Sequence, residues 1–193
     1  MGKEKYQKKV MGLFKKSPIL NFDSIARIIN KEQYTKQLIR NLILKGKIKT
    51  LTKGYYTLTE DPILIVFCLK PSYLGLQNAL SYHNLWEQET IPVIITTKKA
   101  RPGIRIVFNS NILVRRLNKK YFFGFEYRKQ GDLYLPYSDI EKTFIDMIYF
   151  KEYLDKDLLK NIKKRVNHKK LNSYLKVYPE KFQKKVLKCL NQF

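Results

Sequence analysis

The stretch ILNFDSIARIINKEQYTKQLIRNLILKGKIKTLTKGYYTL, ending at Leu58, constrains this chain more than any other. It holds two short helical patterns, a polar break between them and a basic hairpin after them. Phe22, Ile25, Ile28 and Ile29 recur at helical intervals after Asn21, so the first helix buries one stripe. Asn30, with Gln33 three residues on, predicts a reciprocal cap and a second helix starting near Lys31. On that helix Tyr34, Leu38, Ile39 and Leu42 share a face, while Gln33, Lys36, Gln37 and Arg40 fall opposite. Leu44 lies on the polar side, and the expectation is that it packs under the hairpin. Gly46 stands where a helix end often needs a left-handed residue. Segments 47–51 and 55–58 flank Thr52-Lys53-Gly54, and a glycine at a hairpin tip supplies the positive φ such loops use.

Helix, helix and basic hairpin in that order is the pattern of a winged helix-turn-helix, whose second helix enters the DNA major groove. Glutamine pairs bidentately with adenine and arginine with guanine, and lysine neutralises phosphate. The candidate DNA-binding residues are therefore Gln33, Lys36, Gln37, Arg40, Lys47, Lys49, Lys53 and Tyr55. The competing reading is a small helix–hairpin domain with an ordinary solvated charged face.

Charge points the same way. The 193 residues carry 39 Lys and Arg against 16 Asp and Glu, a formal net charge of +23. Residues 1–60 hold 14 basic against 4 acidic side chains, 61–150 hold 12 against 8, and 151–193 hold 13 against 4. The ends are basic and the middle is closer to balance. An AT-rich genome or a hot habitat also enriches lysine, so the excess supports a nucleic-acid partner without establishing one.

No run of 18 apolar residues occurs, and the start of the chain is basic, without a secretory apolar segment. The expectation is a soluble, cytoplasmic protein with no membrane contact. Cys68 and Cys189 are too few and too far apart for a disulfide framework or zinc cluster, and are expected as reduced core residues. His83 and His168 are the only histidines, and no metal-ligand spacing, phosphate loop, dinucleotide fingerprint or nucleophile elbow is present. No cofactor or metal is expected. Glu126, Asp132, Asp139, Glu141 and Asp146 with Lys142 are the raw material of a nuclease-like carboxylate cluster. Ordinary helix chemistry accounts for three of them. Ser138 and Glu141 form a capping-box pattern, Asp139 sits in the first turn, and Lys142 lies one turn from Asp146 as a helix pair. The chain is therefore read as no enzyme.

The expected fold class is α+β: a winged helix-turn-helix over residues 1–60, a mixed α/β domain over 61–150 and a basic helical tail over 151–193 packed on it. Residues 3–16 read as an opening helix with Tyr6, Val10, Leu13 and Phe14 on one face, stopped before Pro18. The apolar run 63–69 is either a buried strand or a short helix. Residues 76–83 read as a helix ending at Asn84; 92–97, 104–108, 112–117, 121–128 and 132–136 read as strands; 138–150 reads as a helix. In the tail, Leu158, Leu159, Ile162 and Val166 make one stripe, and Leu171, Tyr174, Leu175 and Tyr178 a second. Pro179 opens a third helix with Phe182, Val186, Leu190 and Phe193 inward. Lys163, Lys164 and Lys170 are candidates for a second basic surface.

Three segments together resemble a known family. Tyr73-Leu74-Gly75-Leu76-Gln77-Asn78-Ala79-Leu80-Ser81-Tyr82-His83-Asn84-Leu85 resembles the small–Ala–Leu–x–x–His–Gly–Leu segment of AbiEi-type antitoxins and transcriptional regulators. Ile140-Glu141-Lys142-Thr143-Phe144-Ile145-Asp146 resembles that family's P-E-K-A-L-x-D helix, and residues 46–58 resemble its wing, G-x-L-x-R-L-x-x-G-x-Y-x-L. Order and spacing agree, with Asn84, Ile140 and Thr143 standing where the family pattern has Gly, Pro and Ala. The resemblance implies a winged-helix DNA-binding domain followed by a mixed domain. It implies repression of the chain's own operon through duplex DNA, an operator of inverted repeats being one form. It also implies neutralisation of a nucleotidyltransferase-like toxin in a type IV system, where toxin and antitoxin need not touch. A stand-alone winged-helix regulator without a toxin, or a nucleic-acid-processing enzyme, are the alternatives.

Overall fold

The computed structural model describes residues 2–191 and is a mixed α+β protein with two sheets. Residues up to Cys68, together with 106–111, form one compact unit; the rest of the chain from Leu69 forms the other. No helix among the described residues is long and apolar enough to cross a membrane.

The first unit runs α1 (Gly2–Phe14), β1 (Ile19–Asn21), α2 (Phe22–Ile29), α3 (Glu32–Leu44), β2 (Lys49–Thr52) and β3 (Tyr55–Thr57). β3 is the centre of a three-stranded antiparallel sheet, with β1 on one side and β2 on the other. Val10 and Phe14 of α1, Leu20 of β1, Ile25 and Ile29 of α2, and Leu38, Ile39 and Leu42 of α3 meet in one core with Ile48. The ambiguous run after Pro62 is helical: a 3-10 turn over Pro62–Leu64 leads into α4 (Ile65–Cys68).

From Leu69 on, the order is β4 (Ser72–Leu74), α5 (Leu76–Tyr82), β5 (Val93–Thr96), β6 (Gly103–Val107), β7 (Ser110–Arg116), β8 (Phe125–Gln130), β9 (Leu133–Ser138), α6 (Ile140–Tyr149), α7 (Lys156–Arg165), α8 (His168–Leu175) and α9 (Glu180–Asn191), all in the second unit but for 106–111, the end of β6 and the start of β7, which belong to the first. The six strands lie in the order β6-β7-β5-β4-β9-β8, parallel at β5/β7 and β4/β9 and antiparallel at β4/β5 and β8/β9. One core joins sheet and helices, from Tyr73 and Ile95 through Phe144 and Ile148 to Leu159, Leu171, Val186 and Leu190. Phe193, expected inward, lies outside the described residues.

The centre of that core is charged. Lys142 and Asp146 of α6 pair with both side chains fully buried, so the expected helix pair is an interior ion pair. The Tyr73 hydroxyl donates to Asp146 Oδ2 at 2.6 Å, and Lys142 Nζ reaches the Tyr178 hydroxyl at 3.3 Å and lies over the Phe123 ring. Burial pushes Lys142 below and Asp146 above its ordinary pKa, and each partner opposes the other's shift. Gly124 lets the chain pass this close: its φ is +71°, and a Cβ there would lie 2.8 Å from Lys142 Cβ and 2.9 Å from Tyr174 Cε2.

Four expected details are corrected. Asn30 does not cap the second helix; it ends the first in a left-handed conformation (φ 56°), its N–H bonded to Ala26 O, while Lys31 precedes α3 without a side-chain cap. Ser138 is the last residue of β9, and it is Asp139 that caps α6, accepting the Lys142 N–H at 2.7 Å. Glu141 is nearly buried and accepts the Asn167 N–H at 2.7 Å, tying α6 to the start of α8. Segment 121–128 is not a continuous strand: a 3-10 turn over Lys119–Tyr121 precedes β8, and Phe122 packs on Tyr73 while Phe123 packs on Tyr174. Pro179, expected inside the last helix, stands just before it, where its carbonyl accepts the Phe182 and Gln183 N–H groups.

Removing one partner of the buried pair leaves the other charge uncompensated, so Lys142→Met should cost about 3–5 kcal/mol in urea unfolding. The double variant Lys142→Met/Asp146→Leu should recover more than half of that loss. Tyr174 supplies a pH signature. Burial and its 2.8 Å hydrogen bond to Asp139 raise its pKa from 10.0 to about 12. The folded state therefore holds this proton when the unfolded chain has lost it. The stabilisation is complete below the unfolded pKa of about 10 and disappears as pH rises through about 12. Tyr174→Phe should show a shallower loss of unfolding free energy across that window than the parent chain.

Candidate nucleic-acid interface

Four local devices fix α2 and α3. Asn21 caps α2 by accepting the Ser24 N–H at 2.8 Å, and left-handed Asn30 turns the chain between the helices. At the start of α3, buried Thr35 donates its hydroxyl to Lys31 O at 2.9 Å. At its end Gly46 takes φ +64°, with Gly46 N bonded to Ile43 O and Lys47 N to Leu42 O, both at 2.9 Å. This paired closure satisfies two carbonyls that a helix end leaves open. The chain then enters the hairpin, whose tip is Lys53-Gly54 with Gly54 at φ +78° and whose strands pair Thr52 with Tyr55.

With Leu38, Ile39 and Leu42 turned into the core and Tyr34 half-buried, the other side of α3 faces solvent. Gln33, Lys36, Gln37 and Arg40 are all exposed, and Asn41 and Leu44 continue the stripe. Leu44 is not packed under the hairpin. It is 74 % exposed, and with Ile43 it forms an apolar end to an otherwise polar stripe.

The predicted residues separate into two grooves. Lys36 and Arg40 face Lys53 and Gly54 of the hairpin across a groove of about 440 Å³ floored by Phe22, Ile39 and Tyr56. Gln37 and Lys47 line a second groove, of about 470 Å³, on the α1 side of α3. Gln33 is exposed in the first turn of α3, and Tyr55 is half-buried on β3. Two lysines are partly neutralised: Lys36 pairs with Glu32 at 2.6 Å, and Lys49 pairs with Glu60. Arg40 and Lys53 are thus the cations around the first groove without an ion pair among the described residues.

In the tail, Lys164 is exposed and Lys163 half-buried, but Lys170 turns to Asp139 at 3.1 Å and Glu141 at 3.5 Å. Its charge is offset inside the fold, so it is a poor member of a second basic surface. The carboxylates that a nuclease would bring together are dispersed in role. Glu126 pairs with Arg128, Glu141 holds α8, and Asp146 is sealed in the core. Among the described residues no group of three His, Cys, Asp or Glu side chains is placed to hold a metal. His83 is engaged by Ser138 O at 2.7 Å, and burial lowers its pKa.

Leu44→Ser should change unfolding free energy by no more than about 0.5 kcal/mol, as for an exposed site away from packing. Leu42→Ala, two residues earlier, should cost about 2–5 kcal/mol. Urea unfolding of the two variants separates a surface leucine from a core one.

No protein-family model matches the chain, and no curated protein sequence matches it significantly. In fold it is similar to a solved structure, the RV2827C protein from Mycobacterium tuberculosis, with a TM-score of 0.65 over 97 % of this chain and 76 % of that one. Sequence identity is 12 %, so the likeness is one of fold.

Proposed function

We propose that this chain is a DNA-binding transcriptional regulator of the AbiEi type, with a winged helix-turn-helix as its DNA-binding module. The observation that carries the reading is the solvent face of α3, where Gln33, Lys36, Gln37 and Arg40 stand in one stripe beside the cationic hairpin tip at Lys53. A rigid helix presenting amides and a guanidinium suits base edges, and a mobile lysine on a hairpin suits phosphate. The order α2, α3, β2, β3, with β1 completing the sheet, supports the winged helix-turn-helix reading. The AbiEi reading draws support from the second unit, where the two family-like segments meet: Tyr73 of the first bonds Asp146 of the second. Under this reading the regulator represses its own operon and counteracts a nucleotidyltransferase-like toxin. It does so without an enzymatic activity of its own.

One observation favours a second reading. The groove beside α3 is floored by apolar side chains and edged by exposed Ile43 and Leu44, which would also suit an apolar side chain of a partner protein. DNA offers its own apolar group here, the C5-methyl of thymine.

The experiment uses a duplex selected from a random pool by the full chain. Binding should weaken with salt at a log–log slope of about −0.9 per phosphate contacted. Arg40→Ala should cost about 1–3 kcal/mol on the selected duplex and far less on random DNA, whereas Lys53→Ala should weaken both alike. Replacing the selected duplex's thymines by uracil should reduce affinity for the parent chain and not for Leu44→Ser. A flat salt response, or no sequence enriched from the pool, removes the DNA reading in favour of protein docking. A nucleotidyltransferase gene directly downstream is the outcome expected of the antitoxin role.

A further inference from the structure

The second unit carries a cationic cleft that the charge of the region as a whole conceals. Between residues 97 and 120 there are eight Lys and Arg side chains and no Asp or Glu. The rest of segment 61–150 has four basic and eight acidic residues. Half of those eight cations, Lys98, Lys99, Arg116 and Lys119, line one cleft of about 750 Å³ with Thr97 and Asn118. No acidic side chain lines it, and Lys99, Arg116 and Lys119 have no ion pair among the described residues. Four like charges around one concavity repel each other, a cost that an anion in the cleft would remove.

The cleft is also built rather than merely charged. It lies at the carboxyl ends of the parallel neighbours β5 and β7, and two turns form its walls. Thr96, fully buried, has its one hydroxyl proton shared between Leu69 O at 2.7 Å and Pro71 O at 2.9 Å, and its oxygen accepts the Lys98 N–H at 3.0 Å. One side chain thus pins the turn carrying Lys98 and Lys99 to the start of β4. On the other wall Leu117 N bonds Thr96 O at 2.9 Å, and Asn118 Oδ1 accepts the Lys120 N–H at 2.9 Å. The backbone that presents the cations is therefore fixed before anything binds, which lowers the entropic cost of binding. The volume falls within the range of small-ligand pockets, about 300–1,000 Å³.

We propose that this cleft binds a soluble ligand carrying two or three phosphate groups, with Lys98, Lys99, Arg116 and Lys119 as its phosphate contacts. The inference is independent of the DNA reading, since none of these residues belongs to α3 or its hairpin.

The test is calorimetric titration of the full chain with inorganic tripolyphosphate and with ATP at physiological salt, and in parallel with a random duplex. Two triple variants of equal charge are compared: Lys99→Gln/Arg116→Gln/Lys119→Gln in the cleft, and Lys181→Gln/Lys184→Gln/Lys185→Gln on the exposed side of α9. All six side chains are exposed, and unchanged circular dichroism establishes that both variants fold. The expected result is saturable one-to-one binding of at least one small probe, weakened tenfold or more in the cleft triple and less than twofold in the α9 triple. Equal weakening in both triples means diffuse attraction to a basic protein and overturns the proposal, as does the absence of saturable binding. Loss of duplex binding in the cleft triple, with neither small probe bound by the parent chain, assigns the cleft to a nucleic-acid backbone and overturns it as well.

Discussion

The interior pair of Lys142 and Asp146 is the contact on which the second unit depends. Neither side chain reaches solvent, and both are on one turn of α6. Each then needs further partners to offset its lost hydration. Tyr73 comes from β4 and Tyr178 from the segment before α9, so the demand of one ion pair draws a strand and a distant helical end onto one helix. The left-handed Gly124 lets the chain close over Lys142 without a side chain in the way. A second ring surrounds the first. Asp139 receives Tyr174 and Lys170, Glu141 receives the backbone of Asn167, and α8 is thereby fixed to α6 along its length. Hydrophobic residues at 142 and 146 together would fill the same space, but they would carry no hydrogen-bonding demand for Tyr73 and Tyr178 to meet.

The family-like segments therefore have a physical explanation independent of any binding role. Tyr73 of the first segment and Lys142 and Asp146 of the second hold one network, and Glu141 of the second anchors α8. Residue types that look catalytic in a sequence, a carboxylate pair beside a lysine, are here arranged with their polar atoms satisfied by one another.

Much of the architecture was legible from spacing alone. Apart from half-buried Ile28 and from Phe193, which is outside the described residues, the stripes of α1, α2, α3 and the tail helices lie inward where periodicity put them, and Gly46, Gly54 and Asn84 take the positive φ expected of them. What escaped did so for identifiable reasons. Asparagine favours both a helix start and a left-handed end, so Asn30 read equally well in either role, and the tertiary turn chose the second. Ser138 and Asp139 are adjacent cap formers, and β9 claimed Ser138. Spacing of four residues is the same for an exposed and a buried ion pair, so nothing local distinguished Lys142–Asp146 from a surface bridge. The strands β1 and β4 have three residues each, too few for an alternation to show. The polar face of α3 was readable, and its Glu32–Lys36 pair has an ordinary helical spacing, but the pairing of Lys49 on β2 with Glu60 was not, since the two lie eleven residues apart. The cationic cleft escaped because its residues come from two turns, and averaging over a whole domain cancels them against acids elsewhere.

The two units hold their charged surfaces in place by different means. The first unit has a small core, so the placing of α3 leans on its ends: Asn21, Asn30, Thr35 and Gly46 each satisfy a backbone group or set a backbone turn. Each such device is worth on the order of 1 kcal/mol, and together they amount to a sizeable share of a small unit's net stability. In the second unit the cations of the cleft sit on turns bound to buried Thr96, close to a large shared core. The physical distinction between the groove beside α3 and the cleft at the ends of β5 and β7 is thus one of support: caps at the ends of a helix for the first, a buried hydroxyl bound to backbone for the second.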